Sequence, residues 1–242
     1  MISRTRISSQ RPQSPETVSG KRSLAKPGSI PEVKNDVLPL VLSGLCERWE
    51  EIRVLEIINY ATYDQPQVLF ETMGFGKPLE HTPLLLAPGS LTFAWGGTVR
   101  LLADGLGVVL EDVRATYEKR PALRPVRIGA HTVEPGTMGA LRFEVQGIVA
   151  GKPVIVVEHV TRLDDELAPD WPQGQGYRVQ ITGTPSMRCH FDFADEQGDL
   201  AVGGVLLAAT RVVNAIPAVC AAPPGLLSAL DLPLVTGRGL RG

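Results

Sequence analysis

The run Tyr60-Ala61-Thr62-Tyr63-Asp64-Gln65-Pro66 places two phenols, a hydroxyl and a carboxylate side by side after an aliphatic stretch. It reads as a strand end leading into a helix start, where unsatisfied backbone N–H groups favour anions and polar ligands. Asp64 suits two compatible jobs there, capping the helix and engaging a ligand. A second polar set, Arg178, Gln180, Thr182, Arg188, His190 and Asp192, alternates along two consecutive strand-like segments. With parity kept between the segments it lies on one sheet face, either lining a cleft or facing water. A third candidate is Asn214 in Asn214-Ala215-Ile216-Pro217, whose amide either binds a ligand or closes the end of a helix.

Other chemistries find less support. The histidines His81, His131, His159 and His190 and the cysteines Cys46, Cys189 and Cys220 show no paired metal-ligand spacing. His159 shares a strand face with Ile155 and Val157, so a hydrogen-bonded core histidine stands beside a catalytic one. A G-x-S-x-G nucleophile elbow and a P-loop are both absent. The pattern G-x-G-x-x-G occurs only as Gly237, Gly239 and Gly242, with no helix to follow, so it does not mark a dinucleotide site.

The elements that position these groups are legible from periodicity. Asp36 caps a helix in which Leu38, Leu42, Leu45, Trp49 and Ile52 recur at helical spacing, with Pro39 in its first turn. A strand follows at 53–59, then a short helix that starts at Asp64 and ends at Gly74. Ser90 opens a helix that runs to Gly105. From Val108 to Phe193 the period changes to two: Leu141, Phe143 and Val145 alternate with polar residues. Ala150-Gly151-Lys152 then turns the chain into a hairpin with Val154–Leu163. Strands at 177–182 and 187–193 are broken at Gly183 and Pro185. Asp199 caps a last helix expected to end before Pro217. This order gives an α+β fold with a largely antiparallel or mixed sheet covered by helices.

Composition narrows the classes. A net charge of −2, with 43% hydrophobic and 21% charged residues, suggests neither a nucleic acid nor a membrane surface as partner. The apolar run Leu200 to Ala209, interrupted by Arg211, is too short to cross a bilayer. Cysteines that are few, scattered and set in apolar surroundings read as buried free thiols of a reducing cytoplasm. Residues 1–35 carry seven Lys or Arg against two Glu and little apolar clustering, and read as a disordered polar arm ahead of a domain at 36–242.

Three segments carry a family resemblance: Asp36-Val37-Leu38-Pro39-Leu40-Val41-Leu42; Tyr60 to Pro66 with Met73-Gly74-Phe75-Gly76; and Asn214-Ala215-Ile216-Pro217-Ala218-Val219 with Ala222-Pro223-Pro224-Gly225 and Leu232-Pro233. Together they are similar to the dihydrodipicolinate-reductase-like NAD(P)H-dependent amine dehydrogenases, the group of the 2,4-diaminopentanoate dehydrogenase C-terminal domain. The resemblance implies a substrate and oligomerisation domain, normally preceded by a Rossmann domain, that acts on an amine or imine with NAD or NADP. This chain shows no binding motif for that cofactor and no metal site. It implies Tyr60 or Tyr63 as proton donor or substrate anchor and Asp64 as partner of a substrate ammonium. Thr62, Arg178, His190 and Asn214 are candidate substrate contacts. It also implies a homo-oligomer formed through the sheet.

True dihydrodipicolinate reductases place a His and a Lys where this loop has Tyr60, Thr62 and Tyr63, which argues for an amine-type substrate. The polar arm stands where the Rossmann domain is expected, so activity would need that domain from elsewhere. An alternative is a non-enzymatic ligand-binding or assembly module that keeps the fold. Either way, apolar surface is expected to lie open, notably on a Leu38–Ile52 helix.

Overall fold

A computed structural model describes residues 35–63 and 65–237, together with the backbone of β1 (Ser23–Leu24), which pairs in parallel with β10 (Leu226–Leu227). The expected arm, apart from those two residues and Asn35, lies outside the described residues, and so does Asp64.

The centre of the molecule is β2 (Arg48–Asn59). It pairs in parallel with β7 (Lys152–Arg162) and antiparallel with β8 (Gly176–Thr184). With β3 (Asp112–Pro121), β6 (Met138–Val149) and β9 (Met187–Phe191) they form a six-stranded sheet in the order β3-β6-β7-β2-β8-β9. Every other pairing in this sheet is antiparallel. A small hairpin, β4 (Val126–Ile128) and β5 (His131–Val133), stands apart from it.

Because β2 is flanked on both edges and covered on both faces, Val54, Leu55, Ile57 and Ile58 are all buried. That near-continuous apolar run is what a central strand needs. The expected helix through Ile52 is therefore corrected. α1 (Val37–Ser43) is capped by the Asp36 carboxylate and stops at Gly44, whose N–H returns to Leu42 and Val41 carbonyls. Trp49 and Ile52 belong to β2, which starts five residues before the expected Arg53. Burial between two strands outweighs the helical spacing.

α2 (Ser90–Leu106) buries Leu91, Trp95, Val99, Leu102 and Ala103, one stripe of the helix, against β6, β3 and β7. Gly107, with φ 70°, ends it by returning its N–H to Ala103 and Asp104. The β6–β7 turn is Ala150-Gly151, both at positive φ as a tight hairpin requires. Glu111 accepts both of their N–H groups, at 2.8 and 3.1 Å. Gly183, where a break was expected, faces the register shift between Trp49 and Glu51 on β2.

α3 (Leu200–Ala221) starts under Asp199 as expected but does not stop before Pro217; the proline lies inside it. Pro217 has no N–H to give the Val213 carbonyl, yet the helix continues to Ala221. The apolar run is thus 22 residues of helix, with a mean hydropathy of 1.6 in its best window, long enough to cross a bilayer by length and composition. The cysteine expectation is also corrected. Cys220 sits exposed on α3, while Cys46 and Cys189 are half-buried.

The two sheet faces differ in chemistry. Helices cover one. The other carries a row of charge: Arg53 donates to Glu144 at 2.8 Å and to Glu158, and Arg142 donates to Glu158 at 2.8 Å and Glu144 at 3.2 Å. At one end of this face the loop after β7 folds back, packing Leu167, Ala168 and Trp171 on Leu55, Ile57 and Val160. Burial works against the Glu144 charge, but Gln146 and the Arg53 and Arg142 guanidiniums outweigh it and hold its carboxyl below the usual glutamate range.

A carboxyl with a lowered folded pKa adds stability above its unfolded value and loses it as pH falls through the folded one. Arg53→Met leaves Glu158, 2% exposed, with one guanidinium fewer, and is expected to cost about 3 kcal/mol at pH 7. Urea unfolding at pH 7 and pH 4 checks this: the wild type should lose stability toward pH 4, and the variant should lose less. Equal stability of both proteins at pH 7 would show that the network contributes nothing.

Candidate active site

β2 delivers Glu56 to the helix-covered face, level with His159 on β7 and Tyr177 on β8. Its last residue and the turn beyond it are pinned by short bonds. The Tyr60 N–H donates to the Arg162 carbonyl at 2.8 Å, and the Asn59 side chain accepts from the Ala61 N–H at 2.9 Å while donating to Asp165 at 3.0 Å. The Tyr63 N–H then closes onto the Tyr60 carbonyl at 3.1 Å. This turn folds Tyr60 back over the strand, so that its hydroxyl donates to Glu56 Oε1 at 3.3 Å. The same oxygen lies 3.5 Å from His159 Nδ1. Phenol, carboxylate and imidazole thus meet at one atom.

The surroundings are aromatic. The His159 ring stacks on Phe143, with centroids 4.8 Å apart, and meets the edge of Trp95 at 5.1 Å. Tyr60 and Tyr63 lie 5.0 Å apart and pack against this core on one side. On the other they meet Ile58, Tyr177, Ala201 and Phe193. Glu56 and His159 are both 7% exposed, so the carboxylate–imidazole contact is formed with little water to screen it. Among the described residues the buried Trp95 indole N–H has no hydrogen-bond partner.

The expected site residues fall in three places. Tyr60 and Tyr63 form the group just described. Thr62 donates to Asp199, tying the loop to the start of α3. The Val202 N–H above all holds the Asp199 carboxyl below its usual range; burial pulls the other way, and Thr62 and the Ala201 N–H add to the lowering. Arg178 and His190 face each other across β8 and β9, but on the opposite side of the sheet from Glu56. There Arg178 donates to the Gln173 carbonyl, and His190 Nε2 lies 2.9 Å from the Gln175 carbonyl and 3.3 Å from Asp192. That hairpin keeps parity, so the polar row does share one face.

Asn214 lies in neither place. It lines an apolar groove of about 380 Å³ between α1, α3 and the segment at Leu234 and Val235. Since α3 continues to Ala221, Asn214 does not close that helix. In the same groove Arg211 approaches Asp36 at 3.8 Å; burial raises the Asp36 carboxyl, with Arg211 opposing.

Sequence reasoning missed Glu56, Trp95 and Phe143. A signal for the first was present: Glu56 is the lone carboxylate in Val54-Leu55-Glu56-Ile57-Ile58, where a buried charge needs partners. Among the described residues no group of three or more His, Cys, Asp or Glu could hold a metal ion. For a dinucleotide, the phosphates would need free amides at a helix start. α1 and α3 do not fit that need, because Asp36 and Asp199 already occupy their first N–H groups with negative charge.

Comparison with known proteins agrees with this architecture. Residues 34–238 match the family model of the 2,4-diaminopentanoate dehydrogenase C-terminal domain. An amine dehydrogenase from Streptomyces virginiae is 43% identical over 234 residues, which take in 92% of this chain and 64% of that protein. The structure of amine dehydrogenase from Mycobacterium smegmatis superposes with a TM-score of 0.65 at 17% identity, covering 86% of this chain and 58% of that one. At that identity the likeness is one of fold. The chain spans less than two thirds of either protein's length. It belongs to the family of the 2,4-diaminopentanoate dehydrogenase C-terminal domain.

Proposed function

We propose that this chain is the substrate-holding half of an NAD(P)-dependent amine dehydrogenase. The observation that carries the reading is the buried Tyr60–Glu56–His159 group at the end of the central strand. The family match and the amine dehydrogenase relative support the reaction class. A nicotinamide, held by a part of the polypeptide that this chain does not cover, would supply the hydride acceptor for such a reaction.

The residues of this chain hold and orient the amine. Tyr63 and Phe143 belong to an aromatic wall that excludes water, which strengthens charge recognition inside. Glu56 offers a carboxylate oxygen to a substrate ammonium, and the family resemblance makes Asp64 a further candidate for that task. Tyr60, already donating to Glu56, exchanges a proton with the amine nitrogen in this reading, and His159 steadies the same carboxylate oxygen. Arg178 and His190, on the open sheet face, act outside this site. That face is a surface for pairing with a second copy, and three unbridged cysteines suit a reducing cytoplasm.

Two measurements test the reading. Titrating the chain alone with NADH and NADPH while following tryptophan fluorescence should give no saturable quenching, and saturation would mean that the chain holds the cofactor by itself. Joined to the segment of the Streptomyces virginiae enzyme that it does not cover, the chain should oxidise primary amines with NAD or NADP. Tyr60→Phe should then lower kcat about 100-fold with KM little changed. Glu56→Gln should raise the amine KM about tenfold. Activity untouched by either change would place the site elsewhere. A folded, inactive fusion would favour a binding module instead.

A further inference from the structure

α3 is apolar on two opposite sides, and among the described residues only one of them is occupied. The inner side is seated on the body of the protein. Ala201 and Ala215 are buried, a Cβ on Gly203 would lie 2.1 Å from the Phe193 carbonyl oxygen, and Gly204 lies over the Tyr177 hydroxyl. Leu207, Thr210, Arg211 and Asn214 face α1 across the groove. Val202, Val205, Leu206, Val213 and Ile216 recur three or four residues, or two turns, apart on the other side and point away from the protein. Val213 is 60% exposed and Val205 53%. The helix has one charged residue, Arg211, and its guanidinium turns inward toward Asp36. The outer stripe is therefore contiguous and uncharged, and exposed apolar patches of that kind mark contact surfaces.

We propose that this outer stripe of α3 is the docking surface for the part of an amine-dehydrogenase polypeptide that this chain does not cover. The relatives supply the occupant. They share this domain and are substantially longer, with 64% of one and 58% of the other accounted for. The one-sidedness of the stripe argues for protein rather than lipid. A helix that crosses a bilayer is apolar all round, whereas the inner side of α3 carries Thr210, Arg211 and Asn214, and its start is held to the sheet at Gly203 and Gly204. Of the surface expected to lie open on a Leu38–Ile52 helix, Val41 and Leu45 are exposed and Ile52 is buried; the longer apolar stripe is on α3.

Thiol labelling tests this without cofactor or substrate, so its result is independent of the dehydrogenase reading. Val213→Cys is introduced into the full chain, alone and joined to the uncovered segment of the Streptomyces virginiae enzyme, and labelling at that position is followed by peptide mass spectrometry. Val109→Cys, at a loop position 87% exposed, is the control. The proposal predicts that joining slows labelling at Val213 by about tenfold or more, as expected for a buried site, and leaves Val109 unchanged. Labelling at Val213 as fast in the fusion as in the lone chain would overturn it. Protection already present in the lone chain and rising with its concentration would give the stripe to a second copy. Protection conferred on the lone chain by phospholipid vesicles would give it to a bilayer. Either result also overturns the proposal.

Discussion

The structure depends on β2 being buried on both faces while carrying charge on each. A strand has period two, so Ile52, Val54, Glu56 and Ile58 face the helices and Arg53, Leu55 and Ile57 face the other way. A slip of one residue would send Glu56 to the open face and drive Arg53 among the apolar side chains that surround Ile52, Leu38, Leu42 and Leu106 among them. The register is held by a parallel partner on one edge, an antiparallel partner on the other and the bulge opposite Gly183. Both polar centres follow from it. On the open face Arg53 joins Glu144 and Glu158; on the covered face Glu56 meets His159 and receives the Tyr60 hydroxyl.

The two centres do different work. The open network is partly hydrated and fully paired, which suits a sheet face that must stay polar until something covers it. The covered group is small, enclosed by Trp95, Phe143, Tyr60 and Tyr63, and leaves an indole N–H without an acceptor. A buried carboxylate and imidazole met by a half-buried phenol make a costly arrangement for a fold and a useful one for recognising a cation and moving its proton.

Much of this was legible in the chain. Asp36, Ser90 and Asp199 announced helix starts, Gly74 ends the short helix Gln67–Met73 as expected, α2 ends at Gly107 where Gly105 was expected, and the alternation around Phe143 marked β6. The tyrosine loop was visible because phenols and a carboxylate crowd a strand end. Local signals failed where tertiary contacts decide. Trp49 and Ile52 fit a helix by spacing but were claimed by the sheet. Pro217 reads as a helix stop, yet α3 runs on to Ala221 despite the hydrogen bond that its missing N–H forfeits. Arg178 and His190 shared a face as expected, yet whether that face was the one bearing Tyr60 depends on the β2–β8 register, which no local pattern encodes.

The central claim is that an amine substrate is held at the end of β2. It is tested most directly by a crystal structure of the chain joined to the remainder of an amine dehydrogenase, with NADPH and a primary amine bound. The account predicts the amine nitrogen within hydrogen-bond reach of the Tyr60 hydroxyl or the Glu56 carboxylate. An amine seated on the open face by Arg178 and His190, or in the groove by Asn214, with Tyr60 and Glu56 untouched, would contradict it.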